Sequence, residues 1–222
     1  MEYRKEQDMT TLIIGGSGSG KSEYAEQCLD LSEGDKIYLA TMIASDEESR
    51  ERVRRHRMMR ADRNFRTVEC PMNLEETVSQ IPKGAAILLE GIGTLCANLL
   101  FQPKEGASAE DEQRIKKIKN RILYQIHILA IQSSGFVIVS DEVNRAGCDY
   151  EGDTRLYQKL IGELNQELCA RSDTVVEMVC GCPVIRKQIT VEIEKNDEGM
   201  VRNNRSCIFH VFGSADAESQ LE

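Results

Sequence analysis

A chain of 222 residues with 41% hydrophobic residues is long enough to bury one sizeable core, and a single α/β domain is expected. The formal net charge of -9 excludes a general nucleic-acid binder, which needs a surplus of Lys and Arg to neutralise phosphates. The N-terminal MEYRKEQDMT mixes both charge signs without an apolar h-region, and no apolar run approaches the length that spans a bilayer, so a cytoplasmic protein is expected.

Residues 1–9 read as an N-terminal extension. The apolar run Thr11 to Ile14 then ends at Gly15-Gly16, and Glu23 to Leu31 carry helical spacing with Tyr24, Cys28 and Leu31 on one face, giving strand, glycine loop, helix. Lys36 to Thr41 is a second strand. From Asp46 to Arg60 the chain is strongly charged, with Glu47, Glu48 and Glu51 preceding arginines at helical spacing, and reads as an exposed helix whose main apolar contact is Val53.

Ala85 to Leu89, ending in Glu90-Gly91, and Gly135 to Val139, ending in Ser140-Asp141-Glu142, are apolar at every position, as suits parallel strands buried on both faces. Ala109 to Ser133 and Leu156 to Ala170 read as helices, and Thr174 to Val179 as another strand. This alternation predicts an α/β fold of the P-loop NTPase, RecA-like kind, with a mostly parallel sheet and helices on both faces. The P-loop domain is expected over 10–187. Residues 188–222 read as a C-terminal extension, with a hairpin over Gln188 to Val211 and a frayed polar tail.

The eight cysteines include no C-x-x-C pair and no His spacing that completes a zinc site, so most are expected to be reduced, buried small hydrophobes. Cys180-Gly181-Cys182 supplies two thiols, too few for a structural metal without further ligands.

Gly15-Gly16-Ser17-Gly18-Ser19-Gly20-Lys21-Ser22 matches G-x-x-x-x-G-K-[ST] in the context the mechanism needs, between a buried strand and a helix N-terminus. Successive backbone N–H groups of such a loop curl around phosphates, with the helix dipole favouring their charge. Lys21 is placed to reach the β/γ oxygens and Ser22 to complete a magnesium shell. A carboxylate at a neighbouring strand end should help hold the ion, and Glu90 and Asp141 both qualify.

Eight arginines lie between Arg50 and Arg66 in an otherwise acidic chain, a pattern that suits polyphosphate recognition. No acid appears between Arg54 and Asp62, so the second half of this stretch reads as a site and the first as a salt-bridged helix. His56 lies in that unpaired half, where surrounding cations favour a neutral, nucleophilic imidazole, although a lone His on a charged helix is more often solvated. Attack on an α-phosphorus would give a phosphoramidate. His127 and His210 are assigned to structure.

Taken in order, the GG-x-x-SGKS loop at 15–22, YLAT at 38–41, R-x-x-H around His56, FRTVE at 65–69, ILLEGI at 87–92, NLL at 98–100, SDEV at 140–143 and LNQELCARSDTV at 164–175 resemble the bifunctional adenosylcobinamide kinase and adenosylcobinamide-phosphate guanylyltransferase family of cobalamin biosynthesis. The resemblance implies two reactions, phosphorylation of the aminopropanol hydroxyl of adenosylcobinamide by ATP or GTP, then transfer of GMP from GTP to that phosphate. It implies that His56 carries the GMP and that Ala40, Thr41, Met42, Arg57, Met58, Met59, Arg60, Glu69 and Glu90 contact the guanine nucleotide. Lys21 would act in catalysis, leaving Ser22 and Asp141 for Mg²⁺. A homotrimer is also implied. The chain departs from the family pattern at Gly18 in the loop, at Arg55 beside His56, and over 144–152. A P-loop small-molecule kinase without guanylyl transfer, or a nucleotide-binding regulator, are the alternative readings of the same residues.

Overall fold

The computed structural model describes residues 9–32, 34–43, 63–102, 111–143, 152–195 and 201–209, together with positions 47, 51, 54 and 58; for 190–195 and 201–209 it describes the backbone alone. Runs rich in Val, Ile and Leu form the strands β1 (Thr10–Gly15), β2 (Lys36–Ala40), β3 (Phe65–Glu69), β4 (Ala86–Glu90), β5 (Gly135–Asp141) and β6 (Thr174–Val179). These six are parallel, and the antiparallel strands β7 (Cys182–Lys195) and β8 (Val201–Phe209) complete one eight-stranded sheet of order β3-β2-β4-β5-β1-β6-β7-β8.

Successive side chains of a strand face opposite sides, which is why every position of the central runs is apolar. Leu12, Ile37, Ile87, Phe136, Ile138 and Val175 join one core, and Ile13, Tyr38, Leu88, Val137, Val139 and Val176 the other. Helix α1 (Lys21–Cys28) covers the second core through Ala25, with Leu29 just beyond its end. The first lies under α2 (Ile92–Leu100), α3 (Asp111–Gln132) and α4 (Gly152–Arg171), with a 3₁₀ segment at Leu74–Gln80. Leu12 and Ile13 are fully buried, and each such side chain contributes about 1.5–3 kcal/mol. The expected mostly parallel sheet with helices on both faces is what the chain forms.

Some details depart from the sequence reading. The C-terminal hairpin begins at Cys182 rather than Gln188, because a two-residue turn at Cys180-Gly181, both at positive φ, sends the chain directly back along β6. Among the six cysteines whose side chains are described, Cys28, Cys180 and Cys182 are exposed, Cys70 and Cys96 are buried and Cys169 is half-buried. The charged helix expected over 46–60 lies largely outside the described residues, although Glu47, Glu51, Arg54 and Met58 are helical and exposed. His127 is exposed on α3, whereas His210 and the tail lie outside the described residues. Among the described residues no helix is long and apolar enough to cross a membrane, and no cluster of His, Cys, Asp and Glu could hold a metal ion without other ligands.

Candidate active site

Six parallel strands end at one edge, where loops gather and ligands bind in open α/β sheets. Register fixes who meets there: Gly15 lies opposite Asp141, and Ala40 lies opposite both Glu69 and Glu90. Gly15 to Gly20 form the glycine loop, with Gly16, Ser17 and Gly18 exposed and Gly20 in the left-handed region at the α1 N-cap (φ 90°). At Gly15 a Cβ would come within 2.7 Å of Ser19 Oγ and 2.8 Å of the Met178 carbonyl oxygen, so a side chain cannot be accommodated without moving the loop.

Lys21 is only 8% exposed, and its ammonium donates to the carbonyls of Gly15 (2.9 Å) and Gly16 (2.7 Å) while pairing with Asp141 Oδ1 at 3.1 Å. The Ser22 hydroxyl donates to Glu90 Oε1. Thus the carboxylate beside Ser22 is Glu90, whereas the sequence reading paired Ser22 with Asp141. The sheet explains this: β5 adjoins β1, so Asp141 meets the lysine of the adjoining loop. Glu90 stands one strand further away, and its longer side chain reaches the first turn of α1.

Helix α4 fixes Asp141 from behind. Asn165 Nδ2 donates to the Asp141 carbonyl (3.1 Å) and Ser140 Oγ donates to Asn165 Oδ1 (2.6 Å). At Gly93 in α2, an added Cβ would lie 2.8 Å from both Asp141 Oδ2 and the Tyr157 hydroxyl, so the missing side chain is what lets these two groups approach the helix. Burial pushes the Tyr157 phenol up to about 12, with smaller contributions from Cys96 and Asp141, so it is neutral at physiological pH.

On the other side of Glu90, Thr41 is buried, and its hydroxyl donates to the carbonyls of Glu90 (3.1 Å) and Gly91 (2.8 Å). Its own carbonyl accepts from Asn98 Nδ2 at 2.9 Å, and the same nitrogen donates to the Pro71 carbonyl at 2.9 Å. Ala40 and Met42 flank this pinned residue; Glu69, exposed, ends the adjacent strand. The structure therefore brings together the glycine loop, Lys21, Ser22, Ala40, Thr41, Met42, Glu69, Glu90 and Asp141.

Met58 is 70% exposed, while His56, Arg57, Met59 and Arg60 lie outside the described residues, as does 144–151. Among the described arginines, Arg54 pairs with Glu51 (2.9 Å), Arg63 with Asp30 (3.2 Å) and Glu26 (3.6 Å), and Arg66 donates to the Gln80 carbonyl (2.6 Å). Arg63 is thus engaged by α1, a long-range pairing that local charge spacing cannot reveal. Asn98, Asn165, Tyr157 and Gly93 were missed as site residues. Asn98 and Asn165 fall within the NLL and LNQELCARSDTV motifs without a role being read for them, and the signal at Tyr157 and Gly93 was a polar or minimal residue at a buried or half-buried helix position.

A model of the family described as "Cobinamide kinase / cobinamide phosphate guanyltransferase" matches residues 11–185. The chain is 32% identical over 181 residues to "Bifunctional adenosylcobalamin biosynthesis protein CobU" of Escherichia coli (strain K12), an alignment covering 79% of this chain and 98% of that protein. It is 32% identical to the protein of the same name from Salmonella typhimurium, with the same two coverages, and 29% identical to "Bifunctional adenosylcobalamin biosynthesis protein CobP" of Pseudomonas aeruginosa, covering 79% of this chain and 96% of that one.

Proposed function

The chain belongs to the cobinamide kinase / cobinamide phosphate guanyltransferase family, and we propose that it phosphorylates the aminopropanol hydroxyl of adenosylcobinamide and then transfers GMP from GTP to that phosphate. The observation that carries this reading is the convergence of Lys21, Ser22, Glu90 and Asp141 at the glycine loop, inside the matched span. In the first step the acceptor hydroxyl attacks the γ-phosphorus of the donor nucleotide, and the nucleoside diphosphate leaves. Lys21 and the loop amides stabilise charge on the transferring oxygens, so positioning and electrostatics carry most of the catalysis.

The Ser22 hydroxyl and the Glu90 and Asp141 carboxylates offer the hard oxygen donors that Mg²⁺ takes, and Ser22 and Glu90 are already in contact. We assign Ser22 to the ion, with Glu90 as the carboxylate beside it and Asp141 as the partner that orients Lys21. When bound, Mg²⁺ would neutralise charge on the donor's phosphate oxygens.

For the second step, His56 attacks the α-phosphorus of GTP and pyrophosphate leaves; the phosphate of the corrinoid intermediate then takes GMP from the imidazole, giving adenosylcobinamide-GDP. The guanine nucleotide would be contacted by Ala40, Thr41, Met42, Arg57 to Arg60, Glu69 and Glu90. Cytoplasmic location follows from the same reading.

Incubation with adenosylcobinamide, ATP or GTP and Mg²⁺, followed by product mass analysis, tests this directly. A phosphorylated corrinoid should appear first and its GMP adduct should follow only with GTP. Phosphorylation without the adduct would leave a kinase alone, and neither product would remove the proposed substrate.

A further inference from the structure

The carboxamide of Asn98 joins two strand ends that the ladder leaves behind. Beyond Ala40, whose carbonyl accepts from the Cys70 N–H at 2.8 Å, β2 and β3 separate. The carbonyls of Thr41 and Pro71 follow directly, and Asn98 Nδ2 donates to both at 2.9 Å. The Thr41 hydroxyl meanwhile ties this segment to the carbonyls of Glu90 and Gly91. An Asn is well suited here, because its short side chain ends in an NH₂ with two donors, whereas Asp has none. Its setting is otherwise apolar, since its helix neighbours Leu95, Cys96, Leu99 and Leu100 are all buried.

We propose that Asn98 is a positioning residue for the guanine nucleotide, holding the loops after β2 and β3 at a fixed separation so that Met42 presents one preformed surface with Ala40 and Glu69, which the ladder already pairs. This rests on the reading of those loops as nucleotide contacts. Among the described residues the Asn98 amide donates to the Thr41 and Pro71 carbonyls, so its effect on the nucleotide passes through those two residues. Preorganised contacts bind without an ordering cost at the moment of binding, and freeing the loops restores that cost.

The test compares wild type with Asn98→Asp, which keeps size but turns acceptor oxygens toward two carbonyls, and with Asn98→Leu, which removes the polar group. Hydrogen exchange read by mass spectrometry should accelerate about tenfold or more in peptides covering 38–43 and 69–74, with the glycine-loop peptide unchanged. In guanylyl transfer the KM for GTP should rise about tenfold while kcat stays within about threefold, the pattern of lost uniform binding. Unchanged exchange at both segments would overturn the proposal, as would faster exchange throughout the chain with equal losses in kcat and KM. If wild type performs no guanylyl transfer, the proposed function fails separately. Exchange and calorimetric GTP affinity then decide the positioning claim alone: an unaltered affinity in Asn98→Asp would overturn it.

Discussion

Asp141 gathers groups from three elements: the Lys21 ammonium on one oxygen, the Cβ-free backbone of Gly93 beside the other, and Asn165 on its carbonyl. Gly93→Ala isolates the value of that geometry. The new Cβ would strike side-chain ends that can move aside, and Ala gains up to about 1 kcal/mol of helix propensity over Gly, so stability should change little. Phosphorylation should nonetheless fall by about tenfold or more, because a displaced Asp141 carboxylate no longer holds the Lys21 ammonium in alignment. Full activity in a normally stable variant would show that the carboxylate's placement is unimportant.

Tyr157 allows a check by pH. Its phenol is pushed up to about 12, chiefly by burial, so the fold favours the neutral form. A raised acid contributes stability that is whole below the ordinary value of 10.0 and is lost as pH rises through about 12. Absorbance titration should therefore reveal a late-ionising tyrosine that Tyr157→Phe removes, and the variant should lose less stability over that window. A phenol that ionises at its ordinary value in the folded protein would contradict the burial.

At the scale of elements, β7 is anchored by one buried lysine. Lys187 is 6% exposed and donates to the carbonyls of Cys169 (3.0 Å), Ala170 (3.0 Å) and Ser172 (2.6 Å), at the C-terminal end of α4. A cation there satisfies orphan carbonyls and complements the helix dipole. Lys187→Met should cost about 2–3 kcal/mol, the scale of a lost charged hydrogen bond, in urea unfolding. An unchanged midpoint would show that water replaces the ammonium without penalty.

Period and composition made most elements legible. The strands β1, β2, β4, β5 and β6 were readable because burial on both faces demands unbroken apolar runs. Helix α2 was not, since it is only nine residues long, six of them buried, and follows the apolar run of β4 after a single glycine. Strand β3 escaped because it is an edge strand with alternating exposure, and the first part of β7, before Gln188, because its turn uses Cys180 at positive φ, where Asn or Gly would have signalled one.

For the whole molecule, the parallel sheet turns scattered motifs into one site. The glycine loop, YLAT, FRTVE, ILLEGI and SDEV each end a parallel strand, so motifs far apart in sequence form a row along one edge, in the spatial order β3-β2-β4-β5-β1. The motifs were visible in sequence, but which carboxylate meets which loop residue was not. That pairing depends on β5 lying between β4 and β1, a fact of topology. Lys21 has Asp141 and two carbonyls as partners, and a nucleoside triphosphate carries more charge than one ammonium neutralises. We propose Arg57 and Arg60, beside His56, as the source of the further cations.

Intact-protein mass after incubation with GTP and Mg²⁺, for wild type and His56→Ala, tests the central claim most directly. The account predicts an acid-labile GMP adduct on wild type that is absent from His56→Ala. Wild type that binds GTP but gains no adduct, or an adduct that survives in His56→Ala, would contradict it.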